Sequence, residues 1–109
     1  MGYNIIVRIL GTNIATDYLQ ANASDQRIKN ARSQLRAWET ITLASSWTVP
    51  QHVQASHTKA SILKNSRVVF NIKGNNYRLV CVVNYEVKLV IIRWFGSHNE
   101  YDAIDANSV

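Results

Sequence analysis

A chain of 109 residues, 47% hydrophobic and 17% charged, has a folding composition and the length of a single domain, residues 1–109. Twelve Lys and Arg against seven Asp and Glu leave a net charge of +5, which calls for an anionic partner: nucleic acid, an acidic protein or a membrane surface. Apolar runs of about five residues exclude a membrane-spanning helix, which needs roughly 20. Ile5-Ile6-Val7 is interrupted by Arg8 and lacks the length of a signal peptide, and a lone cysteine, Cys81, makes the reducing cytoplasm the default.

Residues 4–10, rich in β-branched side chains and ended by Gly11, predict a first strand. Thr12 or Asn13 can cap a short helix whose apolar positions are Ile14, Ala15, Tyr18 and Leu19. Ser24 and Asp25 predict the start of a longer helix, with Ile28, Ala31, Leu35, Trp38 and Ile41 on one buried stripe. Lys29, Arg32 and Arg36 form a second, basic stripe about 100° round it. Pro50 suits the first turn of a short third helix carrying Val53. Trp38 and Trp47 read as core, and His52 and His57 as polar-loop residues without a partner at a telling distance.

From residue 66 three β-rich runs follow: 68–72, 77–83 and 87–95. Gly74-Asn75-Asn76 and Asn84-Tyr85-Glu86 separate them as tight turns between antiparallel strands. Gly96 is expected to stop the last strand, and Ser97 to cap a short helix over 99–104. Helices followed by an antiparallel meander predict an α+β fold: two N-terminal helices and a short third laid on a mainly antiparallel, twisted sheet, with a short C-terminal helix.

The charge is uneven. Residues 59–98 hold seven basic side chains and only Glu86, a net +6, whereas residues 99–109 are net −3. Alternation along an unbulged strand would align Arg67, Asn71 and Lys73 as one polar edge, with Arg78 and Arg93 on the neighbouring strands. Such an edge can hold phosphate, Arg by paired hydrogen bonds and Lys as a compact charge, or it can be a set of solvated strand ends. His98, after Gly96-Ser97 and before Glu100-Tyr101, is a candidate acid or base. Neither a Walker-type phosphate loop, a zinc-ligand spacing nor a suitable carboxylate pair occurs. Any phosphodiester chemistry is therefore expected to be metal-free and without a cofactor, with the RNA 2′-hydroxyl as nucleophile.

The stretch Arg67-Val68-Val69-Phe70-Asn71-Ile72-Lys73-Gly74-Asn75-Asn76-Tyr77-Arg78-Leu79, followed by Ile92-Arg93-Trp94-Phe95-Gly96-Ser97-His98-Asn99-Glu100-Tyr101-Asp102, resembles the HigB family of bacterial toxins in the RelE superfamily of ribosome-dependent mRNA interferases. The resemblance is strong over about residues 60–105, weaker back through Ala37-Trp38, and slight over the first 25 residues. It implies a RelE-like microbial RNase fold that cuts mRNA in the ribosomal A site and is neutralised by a helix-turn-helix, HigA-like antitoxin, with no membrane partner. Matched to the family pattern, His98 would be the general acid, Arg78 and Lys73 would stabilise the phosphorane, Tyr101 would orient the nucleotide, and Asn71 would position the 2′-hydroxyl or phosphate. Lys64, Arg67 and Arg93 would hold RNA. Asn71 stands where RelE-like relatives carry lysine and His98 where they carry arginine, so the general base has no assigned residue. The alternative is a non-catalytic basic module, such as a degenerate toxin, that binds RNA or protein.

Overall fold

The computed structural model describes residues 6–74 and 76–109. Asn4 and Ile5 of the expected first strand, and Asn75 of the first turn, lie outside the described residues. Strand β1 is Arg8–Leu10, and Gly11 leaves it with φ 83°, where an added Cβ would sit 2.6 Å from the Ile92 carbonyl oxygen. Helix α1 (Thr12–Ala21) follows and buries Ala15 and Leu19, with Gly11 rather than a side chain at its N-cap.

The expected longer helix is broken in two. Asp25 accepts the Arg27 backbone N–H at 2.9 Å and starts a separate 3-10 turn, Gln26–Ile28; α2 then begins afresh at Ala31 and runs to Leu43. Its buried stripe is Ala31, Leu35, Trp38 and Thr42, while Ile41 is 45% exposed. A stripe at spacings of four and three can continue to either 41 or 42. Thr42 takes the inward place because its hydroxyl meets His57 Nε2 at 3.1 Å. Helix α3 (Pro50–Ser56) opens on Pro50 and buries Val53, as the sequence predicts.

Among the described residues five strands form one mixed sheet in the order β1-β5-β4-β3-β2. The short β2 (Ser61–Ile62) has no counterpart in the sequence reading; β3 is Arg67–Ile72, β4 Tyr77–Asn84 and β5 Leu89–Ser97. Among the described residues only the β1–β5 pairing is parallel. Lys88, with φ 59°, ends the second turn, so β5 begins at Leu89 rather than at residue 87. It also continues through Gly96 to Ser97, and α4 is only His98–Tyr101.

Side-chain alternation gives the sheet two different faces. Val68, Phe70, Ile72, Tyr77, Leu79, Cys81 and Val83 join the main core with α1, α2 and α3. Trp38, Trp47 and His57 surround Phe70 there; the Trp47 and Phe70 rings stack at 6.2 Å. His57 is therefore packed among aromatic rings, and His52 Nδ1 accepts the Thr48 N–H at 3.1 Å, so neither is the partnerless loop residue that the sequence suggests. The opposite face carries Val69 and Val80 against Ala106, flanked by Trp94 of β5, Tyr101 of α4, and Ile104 and Val109 beyond it. This α+β arrangement is compatible with a RelE-like fold.

Candidate functional site

Cross-strand register builds the site. Asn71 on β3, Arg78 on β4 and Gly96 on β5 are successive partners across the sheet, and alternation turns the first two to the face away from α1 and α2. The Arg78 guanidinium carbon lies 6.0 Å from the centre of the Tyr101 ring, and its Nη1 donates to the Tyr77 carbonyl at 3.2 Å. Tyr101 in turn leans on Trp94, ring centres 6.2 Å apart.

The ladder extends one step past the strands. The Asn76 N–H donates to the Lys73 carbonyl at 3.2 Å, and the His98 N–H donates to the Asn76 carbonyl at 3.0 Å. His98, the exposed first residue of α4, thus follows Gly96 by two positions at the end of the sheet where Asn71 and Arg78 stand. Of the sequence-derived candidates, Asn71 and Arg78 are cross-strand partners and Arg78 meets Tyr101, while His98 stands at the same end of the sheet and lines a cleft that includes none of these three.

Lys73 is a correction. β3 ends at Ile72 and Lys73 adopts φ 54°, so strand alternation no longer applies and it does not continue the Arg67–Asn71 edge. Its ammonium instead donates to the backbone carbonyl of Arg27. Arg67 is four residues from Asn71, roughly 13 Å along the strand. Its Nη2 donates to the Val109 carbonyl at 2.7 Å and its Nη1 to the Asn65 carbonyl at 3.0 Å, which ties down the chain's C-terminal segment. Exposed Lys64 sits at the same far end, where its N–H donates to Asn107 Oδ1. Arg93 is the extra residue of a β-bulge: Val80 pairs with Trp94 and Cys81 with Ile92, leaving Arg93 exposed between them.

A polar cleft of about 310 Å³ adjoins His98 and includes residues the sequence reading did not single out. Tyr18 comes from α1 and Asn22 from its C-cap, Asp25 and Arg27 from the N-cap and body of the 3-10 turn, Asn76 from the β3–β4 turn and Tyr77 from the start of β4; Ser97 to Glu100 close it. Arg27 Nη2 pairs with Asp25 Oδ2 at 2.9 Å and holds that carboxyl below its usual range. Tyr18 donates its hydroxyl to Glu100 Oε1 at 2.6 Å. Burial, and then this bond, push the Tyr18 phenol up to about 12, while the Tyr18 hydroxyl and the Ser97 N–H hold Glu100 below the usual carboxylate range. No short-range sequence signal links Tyr18 to Glu100; the Ser97-x-x-Glu100 capping pattern is the part that could have been read.

Chemically, this end of the sheet offers a guanidinium, an aromatic ring, an amide and an imidazole beside a polar cleft, groups suited to a phosphodiester and its flanking nucleotide. Among the described residues no three His, Cys, Asp or Glu converge as metal ligands would. No helix of the described residues is long and apolar enough to cross a membrane.

A family model described as HigB_toxin, the RelE-like toxic component of a toxin-antitoxin system, matches residues 31–104. A search of curated proteins gives no match.

Proposed function

The chain belongs to the HigB toxin family, RelE-like toxic components of toxin-antitoxin systems, and from that membership we propose that it is an endoribonuclease cutting translated mRNA in the ribosomal A site. Its partners are then the ribosome with its message and a neutralising antitoxin, taken here as a helix-turn-helix, HigA-like protein in the same cytoplasm. The observation that carries the reading is the row Asn71–Arg78–Gly96, with Tyr101 beside Arg78 and His98 two residues past Gly96.

In this reaction the ribose 2′-oxygen bonds to the adjacent phosphorus and the bond to the 5′-oxygen breaks. The products are a 2′,3′-cyclic phosphate and a free 5′-hydroxyl. His98 gives its proton to the departing 5′-oxygen; the 2′-hydroxyl proton leaves to a base that the family pattern does not assign here. Arg78 offers its N–H fork to the phosphorane oxygens, and Lys73, its ammonium bonded to the Arg27 carbonyl, adds only more distant positive charge. Asn71 positions the 2′-hydroxyl or phosphate and Tyr101 orients the nucleotide. Lys64, Arg67 and Arg93 supply the wider basic surface for RNA, Arg67 least directly because its guanidinium is bonded to two backbone carbonyls.

The test is controlled expression without antitoxin, with primer extension along one message that is translated and one whose start codon is removed. Growth arrest and cuts confined to the translated message are expected, both suppressed by His98→Ala and Arg78→Ala. Normal growth with intact message at confirmed protein levels would exclude the nuclease and leave the non-catalytic binding module.

A further inference from the structure

The helix that carries His98 and Tyr101 cannot hold its own orientation. α4 has four residues, none of them buried, and so short a helix has little stability alone. Its geometry comes from the packing of Tyr101 on Trp94 and Arg78 and from hydrogen bonds at its ends. Ser97 Oγ accepts the Glu100 N–H at 3.2 Å, and Glu100 Oε1 accepts the Ser97 N–H at 2.8 Å, a complete capping box. The same Oε1 accepts the Tyr18 hydroxyl at 2.6 Å, from a residue 82 positions earlier.

Tyr18 is well placed to impose an orientation. Its helix is anchored by Ala15 and Leu19, both buried. Its ring stands edge-on to Phe95 at 5.3 Å and to Tyr77 at 6.3 Å, so the hydroxyl projects from a packed platform. Gly96 leaves room for the junction: a Cβ there would fall 3.1 Å from Glu100 Oε1 and 2.6 Å from the Trp94 ring. The donor stays protonated and the acceptor ionised across neutral pH, which keeps the bond charge-assisted.

We propose that Tyr18 is a positioning residue for the reaction, its hydroxyl latching Glu100 so that α4 presents His98 and Tyr101 to the row formed by Asn71 and Arg78. This rests on the nuclease reading. Tyr18 lies outside residues 31–104, so nothing in the matched segment carries the role. Removing the hydroxyl leaves the ring packing intact but leaves Glu100 held by the Ser97 N–H without its tie to α1, which loosens the carboxylate and with it the tilt of α4. The groups that touch RNA are then present but misaimed, a loss that falls on turnover rather than on binding.

The experiment measures kcat and KM for message cleavage on translating ribosomes in the wild type, Tyr18→Phe, Glu100→Gln, His98→Ala and the Tyr18→Phe/His98→Ala double variant. Tyr18→Phe is expected to lower kcat roughly tenfold with KM unchanged, the effect of losing one hydrogen bond to a charged group. Glu100→Gln, whose amide oxygen still accepts from Tyr18, loses less. In the His98→Ala background Tyr18→Phe costs less, because only Tyr101 is left for the latch to aim. Equal losses in both backgrounds, or a change confined to KM, overturn the proposal. Amide exchange at Ser97 reads the latch without catalysis: faster exchange in Tyr18→Phe supports it and unchanged exchange overturns it. A wild type that cuts no message defeats the nuclease reading on its own, and the Ser97 amide still decides whether Tyr18 holds α4.

Discussion

Arg78 stands opposite Gly96 across β4 and β5 and directs its guanidinium over the Tyr101 ring, 6.0 Å from the ring centre. The residue without a side chain beside the arginine makes room for the Trp94 ring, which an added Cβ would meet at 2.6 Å, and Trp94 in turn backs Tyr101. The aromatic face favours the planar cation over a lysine ammonium. Arg78→Ala is therefore expected to lower cleavage on the ribosome by roughly 10²–10³-fold, the scale seen when one preorganised donor to a developing oxyanion is removed. Arg78→Lys should recover only part, since it restores charge but not the fork. Urea unfolding checks that both variants stay folded; equal activity of Lys and Arg at this position would count against phosphate recognition by the fork.

Phe70 sits among Trp38, Trp47 and His57 and is 1% exposed, so it holds α2, α3 and the sheet together. Phe70→Ala should cost about 3–5 kcal/mol, the usual range for removing a buried aromatic ring. The check is the urea midpoint at constant m-value, and a loss below about 1 kcal/mol would mean that the site collapses around the gap.

His57 makes stability depend on pH. Burial lowers its pKa, so the folded state disfavours the proton that the unfolded chain accepts near pH 6.5. The contribution is therefore fully present above about pH 6.5 and is lost as the pH falls toward the lowered folded value. Urea midpoints should drop between pH 7.5 and 5.5 in the wild type. The drop should shrink in His57→Gln, which keeps a polar group near Thr42 but does not titrate. An undiminished drop would assign the acid sensitivity to other groups.

How far the sequence was legible follows from the range of each signal. Strand patterning and helical spacing are local, and they located α1, α3, β3 and β4 and the buried Ala15, Leu19 and Val53 of the two helices. Of the motif residues, the register pairs Asn71 with Arg78, and Arg78 meets Tyr101, while His98 stands at the same end of the sheet. What could not be read depends on contacts far apart in sequence. Tyr18 meets Glu100, Arg67 meets Val109, and Lys73 meets the Arg27 carbonyl only after the sheet and helices have packed. The choice of Thr42 over Ile41 for the core has the same origin, since His57 decides it from α3's end. Lys73 was misread for a local reason: its left-handed backbone breaks the alternation on which the shared edge depended.

Arg67 and Arg93 carry the same charge but should answer differently to neutralisation. Arg67 bonds the Val109 and Asn65 carbonyls, whereas Arg93 is exposed at a bulge and reaches no such partner among the described residues. If RNA meets the basic sheet surface, Arg93→Gln should weaken ribosome association and reduce the slope of log affinity against log salt by roughly 1, as for one lost phosphate contact. Lys64→Gln should act in the same way, being exposed at the β2–β3 loop. Arg67→Gln should instead loosen the C-terminal turn, detected as faster amide exchange at Ser108 and Val109, whose N–H groups bond Asp105. Its salt slope should change less than that of Arg93→Gln. The reverse pattern, a full unit of slope lost at Arg67 and none at Arg93, would put the RNA path at the far end of β3 and away from the bulge.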